Sequence, residues 1–112
     1  MRDDRLYLEH ILEAVKRIRE YTTDGKAHFL ADGRTQDAVI RNLQVLGEAA
    51  KKVSAATIAA NPDVPWRQMA GLRDRVVHDY FGVSFEIVWD VIENHLDAVA
   101  REVQKVLDDG ES

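Results

Sequence analysis

An arginine, a histidine and a tyrosine lie close together in the stretch MAGLRDRVVHDYFG, residues 69–82. Arg73 precedes His78 by five positions, and Tyr80 follows two positions later. A histidine titrates near neutral pH and can transfer protons, and a guanidinium can bind the oxygens of a phosphoryl group. Asp74, four positions before His78, can orient its ring if the stretch is helical. These residues predict a site for chemistry on a phosphate.

The helix that must carry this site is predicted to start near Pro65 and to end near Tyr80, with Gly82 as its stop. Its residues follow one another at about 100° around the axis. Arg73 then lies in the middle of the apolar stripe, which comprises Trp66, Met69, Ala70, Val77 and Tyr80. A guanidinium in an apolar stripe is costly without an anion. The pattern is explained either by a buried ion pair, with Glu48 as the candidate, or by a cleft that binds phosphate.

His78 does not share a helix face with Arg73, since five positions separate them by about 140°. Three effects can bring them together: looser geometry at the helix end, the long arginine side chain, or a dimer that joins residues from two chains. Tyr80 is seven positions from Arg73 and shares its face. Tyr80 is explained either as a modification site in that cleft or as a core tyrosine under the helix end.

Composition indicates one globular, all-helical domain. The chain has 112 residues, of which 46% are hydrophobic and 31% charged, with 6 glycines and 2 prolines. No cysteine is present, which excludes thiolate metal sites and disulfides and fits a cytoplasmic location. The first residues, MRDDRLYLEH, are unlike a signal peptide, and no apolar run approaches the ~20 residues of a membrane span.

Charge is distributed unevenly along the chain. The net charge is −5, yet residues 34–75 carry +3 and the remainder −8. A basic middle segment can meet phosphate in spite of the acidic total. The alternative is an ordinary solvated helix surface, on which the excess of basic residues has no function.

Hydrophobic periodicity predicts four helices. The first spans residues 3–21, the second Thr35 to Ser54, and the third carries the Arg–His stretch. Between the first two, TTDGKAHFLADGRT contains two Asp-Gly pairs and is predicted to be a break. Ser84 is predicted to cap a fourth helix that runs to about Leu107, with a frayed tail from about residue 108.

The other histidines and several glutamates indicate a functional site less clearly. His10 and His28 are predicted to be exposed or in loops, and His95 to be a core residue of the fourth helix. Carboxylates occur on several helices, at Glu9, Glu13, Glu48 and Glu93, but the Glu-x-x-His spacing of metal-loaded bundles is missing. No metal and no cofactor is therefore expected.

One further surface is predicted on the second helix. Arg41 and Glu48 share, with Gln44 and Val45, a face that lies away from the core stripe of this helix. The face carries too many uncharged groups for an ordinary solvated surface. It predicts a cleft or a dimer contact.

The motif Arg73-Asp74-x3-His78-x-Tyr80 resembles that of the HepT-like toxins among the HEPN-domain ribonucleases. The segments DAVIRNLQVLGEAAKKVS and PWRQMAGLRDRVVHDYFGVSFEIVWDVIENHL are also similar to that group, so the resemblance covers about residues 6–103. Many members carry Asn after the arginine, where this chain has Asp74.

The resemblance implies a four- or five-helix up-down HEPN bundle that forms a homodimer, with the motifs of both chains facing one groove. It implies a metal-independent endoribonuclease that acts on RNA, with Arg73 and His78 as catalytic residues and Asp74 in support. It also implies a partner, a minimal nucleotidyltransferase antitoxin that attaches AMP to Tyr80. Two other functions stay open: a non-catalytic helical adaptor of such a nucleotidyltransferase, and a metal-dependent bundle hydrolase.

Overall fold

The computed structural model describes residues 2–78 and 84–111, with the backbone alone described at positions 2, 73–78 and 111. The regular structure of this described part consists of helices only, which confirms the all-α prediction. The helices are α1 (Arg2–Tyr21), α2 (Lys26–Ala31), α3 (Gly33–Lys52), α4 (Ala55–Ala60), α5 (Trp66–His78), α6 (Phe85–Asn94) and α7 (Leu96–Glu111).

Helix α3 forms the centre of the bundle, because it packs against both α1 and α5, while α7 closes the other side of α1. The apolar stripes that periodicity predicted for α1 and α3 form the core, with Leu12 half-buried at its edge. The largest side chains that are fully buried come from five helices: Ile11, Ile18, Phe29, Leu43, Leu46, Met69 and Leu96. Burial of these stripes holds α5 in a fixed position against α3.

Polar side chains fix where three of the helices begin. Ser54 accepts a hydrogen bond from the Thr57 N–H and caps α4, and Ser84 accepts one from the Ile87 N–H and caps α6, as predicted. Asp32 caps α3 by accepting from the Thr35 N–H at 3.1 Å. The Thr35 hydroxyl and N–H bonds lower the pKa of Asp32.

The predicted break between the first two long helices contains a short helix, α2. The first Asp-Gly pair lies at a turn, where Gly25 has φ 90°, a value that glycine adopts readily. The second pair starts α3 instead, with Asp32 as the N-cap and Gly33 as the first helical residue. Between these two pairs, the ring of Phe29 is fully buried. Its centroid lies 5.9 Å from the centroid of the Phe85 ring and 5.6 Å from that of the Trp89 ring. Six residues are too few to show a helical period, so this element depends on tertiary packing.

The predicted fourth helix is interrupted once, at His95, and forms α6 and α7. The backbone ladder runs through the interruption, since the His95 N–H donates to the Val91 carbonyl and the His95 carbonyl accepts from the Val99 N–H. α7 is helical to Glu111, beyond the position at which a frayed tail was expected to begin. His95 is also not a core residue: its side chain is 63% exposed. Its ring lies at the surface near Asp90.

A buried carboxylate ties α1 to the start of α4. Asp4 is buried and accepts hydrogen bonds from the Ser54 N–H at 2.9 Å, from the Ser54 hydroxyl at 2.6 Å and from the Thr57 hydroxyl. Burial raises the pKa of Asp4, but the bonds from Ser54 and Thr57 outweigh it, so that the pKa lies below its ordinary value. The ionised carboxylate is therefore the form that stabilises the fold.

Asp4→Ala should lower the free energy of unfolding by about 1–3 kcal/mol, because the half-buried donors of Ser54 and Thr57 would lose the buried carboxylate that accepts from them. Thermal denaturation followed by circular dichroism at pH 7 would measure the loss. The matched control is Asp3→Ala, which removes an exposed carboxylate from the same helical turn. Equal destabilisation by the two variants would contradict the role of the buried cluster.

The stabilisation by Asp4 should also depend on pH in one direction. A folded pKa below the unfolded value means that the contribution is complete above about pH 4 and is lost as the pH falls through the folded pKa. The difference in melting temperature between wild type and Asp4→Ala should therefore shrink as the pH falls below about 4. A difference that grows on acidification would show that the protonated carboxyl is the stabilising form.

Candidate active site on helix α5

The start of α5 is anchored by the loop that precedes it. The Pro65 carbonyl accepts from the Met69 N–H at 3.0 Å, so Pro65 directly precedes the helix, close to its predicted position. The Trp66 indole N–H donates to the Asn61 carbonyl at 3.0 Å, and the ring is buried in the core. Met69 is buried one turn later. These contacts fix the direction in which α5 presents its later residues.

The predicted catalytic residues lie in the second half of α5. The backbone is helical at Arg73, Asp74 and His78, so all three are on one continuous element. Their side chains and the whole of Tyr80 lie outside the described residues. The roles assigned to these four residues, and the alternative ion pair of Arg73 with Glu48, therefore stay predictions.

The second predicted surface lies on the outward face of α3. Arg41, Val45 and Glu48 are exposed and Gln44 is half-buried. Val45 is 37% exposed, a large apolar side chain at the middle of this face. The face is directed away from the core, as its register predicted, and α3 itself packs on α5. A cleft or dimer role for Arg41 and Glu48 stays a prediction.

The basic middle of the chain is accessible at the surface. Its basic side chains within the described part are all exposed: Arg34, Arg41, Lys51, Lys52 and Arg67. The Lys52 ammonium lies 5.8 Å from the centroid of the Tyr7 ring. This exposure fits a phosphate-facing segment, and it fits equally a solvated surface.

Two of the remaining histidines are where the sequence predicted them. His10 is exposed on α1, and His28 is exposed on α2 with its Nε2 3.3 Å from the Thr35 hydroxyl and 3.5 Å from Asp32. His95, expected in the core, has its Nε2 3.6 Å from an Asp90 oxygen at the surface.

Three of the four carboxylates considered as metal ligands pair within their own helices. Glu9 contacts Arg5 at 3.0 Å, Glu13 contacts Arg17 at 3.2 Å, and Glu93 accepts from the Trp89 indole N–H at 2.9 Å. Among the residues that the structure describes, no group of three or more His, Asp or Glu side chains is arranged to hold a metal ion.

A cavity of about 490 Å³ lies beside α5, a feature that the sequence did not predict. Its walls come from α3, the first half of α5 and the junction of α6 with α7. The only advance signal was Gly71, a glycine in the interior of a predicted helix. His95, at the interruption that periodicity did not show, lines the cavity.

Residues 11–106 match the family described as "Ribonuclease HepT-like", a span that covers α5 and nearly all of the bundle. This chain belongs to the HepT-like ribonuclease family. The helical architecture agrees with a HEPN-type bundle. Within the ranges that the structure describes, none of the helices is long and apolar enough to cross a membrane.

Similar proteins from other organisms have names that describe them as ribonucleases. A Methanocaldococcus jannaschii protein, provisionally named as an RNase, is 42% identical over 109 residues, covering 96% of this chain and 90% of the relative. A Thermococcus cleftensis protein, provisionally named ribonuclease HepT, is 37% identical, covering 94% and 96%. A Caldanaerobacter subterraneus protein, provisionally named as an RNase, is 32% identical and is covered over 96% of its length. No solved structure matches this chain.

Proposed function

We propose that this HepT-like protein is a metal-independent endoribonuclease and the toxin of a two-component toxin–antitoxin system. The observation that supports this most is the placement of Arg73 and His78 on one helix of a chain that belongs to a ribonuclease family. A proton-transfer group and an anion-binding group are the minimum that cleavage of RNA needs.

RNA supplies its own nucleophile, the 2′-hydroxyl. In the proposed reaction His78 takes the proton of this hydroxyl, a bond forms between the 2′-oxygen and phosphorus, and the bond from phosphorus to the 5′-oxygen breaks. The leaving 5′-oxygen gains a proton from a protonated group, for which the second His78 of a dimer is available. Arg73 stabilises the negative charge on the phosphoryl oxygens, and Asp74 orients the His78 ring.

The purified protein should cut single-stranded RNA in the presence of EDTA and leave 2′,3′-cyclic phosphate ends, because the attacking group is the 2′-hydroxyl. Mass spectrometry of the fragments would identify the ends. The matched substrate control replaces each 2′-hydroxyl with 2′-O-methyl and should not be cut. Cleavage that stops with EDTA, or that leaves 3′-hydroxyl ends, would favour a metal-dependent hydrolase.

The proposed partner is a minimal nucleotidyltransferase that silences the toxin. In that reaction the Tyr80 oxygen attacks the α-phosphorus of ATP, an O–P bond forms, and pyrophosphate leaves. The attached AMP is bulky and anionic, so it competes with RNA for the groove that contains Arg73. A neighbouring reading frame for such an enzyme would support this assignment.

The proposed active form is a homodimer that is joined through the outward face of α3. The exposed Val45, between Arg41 and Glu48, gives this face an apolar centre. Val45→Glu should shift the protein from dimer to monomer in sedimentation velocity, because a buried carboxylate in the interface would be costly. The control is Leu6→Glu, at an apolar side chain that is 48% exposed on α1. A wild type that is monomeric at micromolar concentration would contradict the dimer.

A further inference from the structure

The cavity beside α5 has an apolar floor next to the proposed catalytic residues. The buried side chains of Leu46, Met69, Leu96 and Val99 form its base, and it is also lined by three half-buried apolar residues, Pro65, Leu72 and Val91. Leu72 directly precedes Arg73 in α5, and Met69 lies four residues, about 6 Å along the helix axis, before Arg73. A ligand in this cavity would therefore lie next to the phosphate that Arg73 is proposed to bind.

Two polar side chains stand at the opening of this cavity. Gln68 lines it and is exposed, so its amide offers both a donor and an acceptor at the rim. His95 lines it from the α6–α7 junction, with its side chain 63% exposed and its Nε2 3.6 Å from Asp90. An apolar floor with a few polar groups at the rim is typical of a small-ligand site, and about 490 Å³ lies within the usual size range.

Gly71 leaves the cavity open on the α5 side. Among the residues whose side chains the structure describes, a Cβ atom at this position would meet nothing within 4 Å. Glycine inside a helix is about 1 kcal/mol less favourable than alanine. The residue is thus unfavourable for the isolated helix, and no described side chain lies close enough to require it. A glycine at position 71 is explained if a ligand occupies the part of the cavity that a larger side chain would fill.

We propose that this cavity binds one unpaired purine base of the RNA substrate, with adenine preferred. The inference rests on the proposed ribonuclease function and adds the base that flanks the cleaved bond. Proteins that read single-stranded RNA take splayed bases into such sites and bond their edges. The glutamine amide matches the donor and acceptor of adenine N6 and N7, and the apolar floor contacts the face of the ring. A bicyclic purine covers more of this floor than a pyrimidine does.

The test fills the cavity without removing a native contact. Gly71→Leu adds a side chain into the open space, and Gly33→Leu makes the same change at the start of α3, where a Cβ also meets nothing within 4 Å. Gln68→Ala removes the rim amide and leaves the volume. Circular dichroism and the melting temperature would verify that each variant folds, and Gln68→Ala keeps the test valid if Gly71→Leu does not fold.

Adenosine is the binding probe, because it has no phosphate and does not depend on Arg73. Titration calorimetry should detect adenosine binding to wild type and Gly33→Leu, and at least tenfold weaker binding to Gly71→Leu and Gln68→Ala. Uridine should bind at least tenfold more weakly than adenosine to the wild type. Equal adenosine affinity in all four proteins would overturn the proposal.

Cleavage of two oligouridylates, one with a single adenosine and one without, separates this inference from the proposed function. Wild type should prefer the adenosine substrate at least tenfold in kcat/KM, and Gly71→Leu should lose the preference.

If RNA is cut without base preference and adenosine does not bind, the base site is wrong and the ribonuclease stands. If adenosine binds as expected but no RNA is cut, the ribonuclease is wrong and the site is one for adenosine itself. Conversion of a dimer to a monomer by Gly71→Leu, without adenosine binding to wild type, would assign the cavity to a second copy.

Discussion

His78→Ala should cleave RNA about 10²–10⁴-fold more slowly than the wild type, because the variant lacks the group that takes the proton from the 2′-hydroxyl. The rate is measured with a fluorescent single-stranded RNA under single-turnover conditions in EDTA. Because His78 lies in the last turn of α5, after the buried anchors Trp66 and Met69, the fold should survive the change. Far-UV circular dichroism would verify this.

The matched control for His78→Ala is His10→Ala, which removes an exposed histidine from α1. This variant should cleave at the wild-type rate. Unchanged cleavage by His78→Ala would contradict the general-base role. A wild type that cuts no RNA at all but binds a nucleotidyltransferase would favour the adaptor function, because an adaptor does not need the Arg73–His78 pair.

Substitutions of Arg73 test the same site through the group that is proposed to bind the phosphate. Arg73→Ala should abolish cleavage, and Arg73→Lys should also lose most of it, since an ammonium cannot replace the planar, two-pronged guanidinium at a phosphate. Arg17→Ala is the control, because Arg17 is exposed on α1 and pairs with Glu13. Full activity of Arg73→Lys would mean that Arg73 supplies charge alone. Strong destabilisation by Arg73→Ala would favour the buried ion pair with Glu48 instead.

The parts of the fold that periodicity specifies were predictable from the sequence. Leu43 and Leu46 recur at helical spacing along 20 residues of α3, and such a stripe has only one buried arrangement. Ser84 was predictable as a cap because its hydroxyl satisfies an N–H that the helix leaves free. Phe29 was not, because its burial depends on Phe85 and Trp89, more than 50 residues away in the chain.

The residues of the candidate site were proposed from the sequence and their catalytic roles stay predictions, whereas the cavity beside them was not predicted. Arg73 and His78 were identified because their types and spacing suit phosphate chemistry, and the structure places both on α5. The cavity was not predicted, because it forms where three separate segments meet, one of them at the junction of α6 with α7 that contains His95. The interruption at His95 leaves no mark in the hydrophobic pattern, since Ile92, Leu96 and Val99 keep a helical period across it.

Tyr80→Phe should remain an active ribonuclease that the nucleotidyltransferase can no longer silence. Incubation of the wild type with that enzyme and ATP should add AMP to a peptide that contains Tyr80, and RNA cleavage should be lost. Phenylalanine keeps the aromatic ring but has no oxygen to attack ATP. A packing role would therefore survive the substitution, whereas the modification would not.

Tyr21 provides the control that makes this result specific. It is 40% exposed at the end of α1, so an enzyme that modifies any accessible tyrosine should label it, and Tyr21→Phe should then reduce the AMP incorporated. We expect Tyr21→Phe to be modified and silenced like the wild type, because Tyr80, seven positions after Arg73, is the tyrosine that the sequence predicts on the face of that arginine, where AMP and RNA are proposed to compete. If Tyr80→Phe is still modified and silenced, the regulatory tyrosine is elsewhere. If Tyr80→Phe unfolds, the residue is a core tyrosine and the silencing reaction must act on another group.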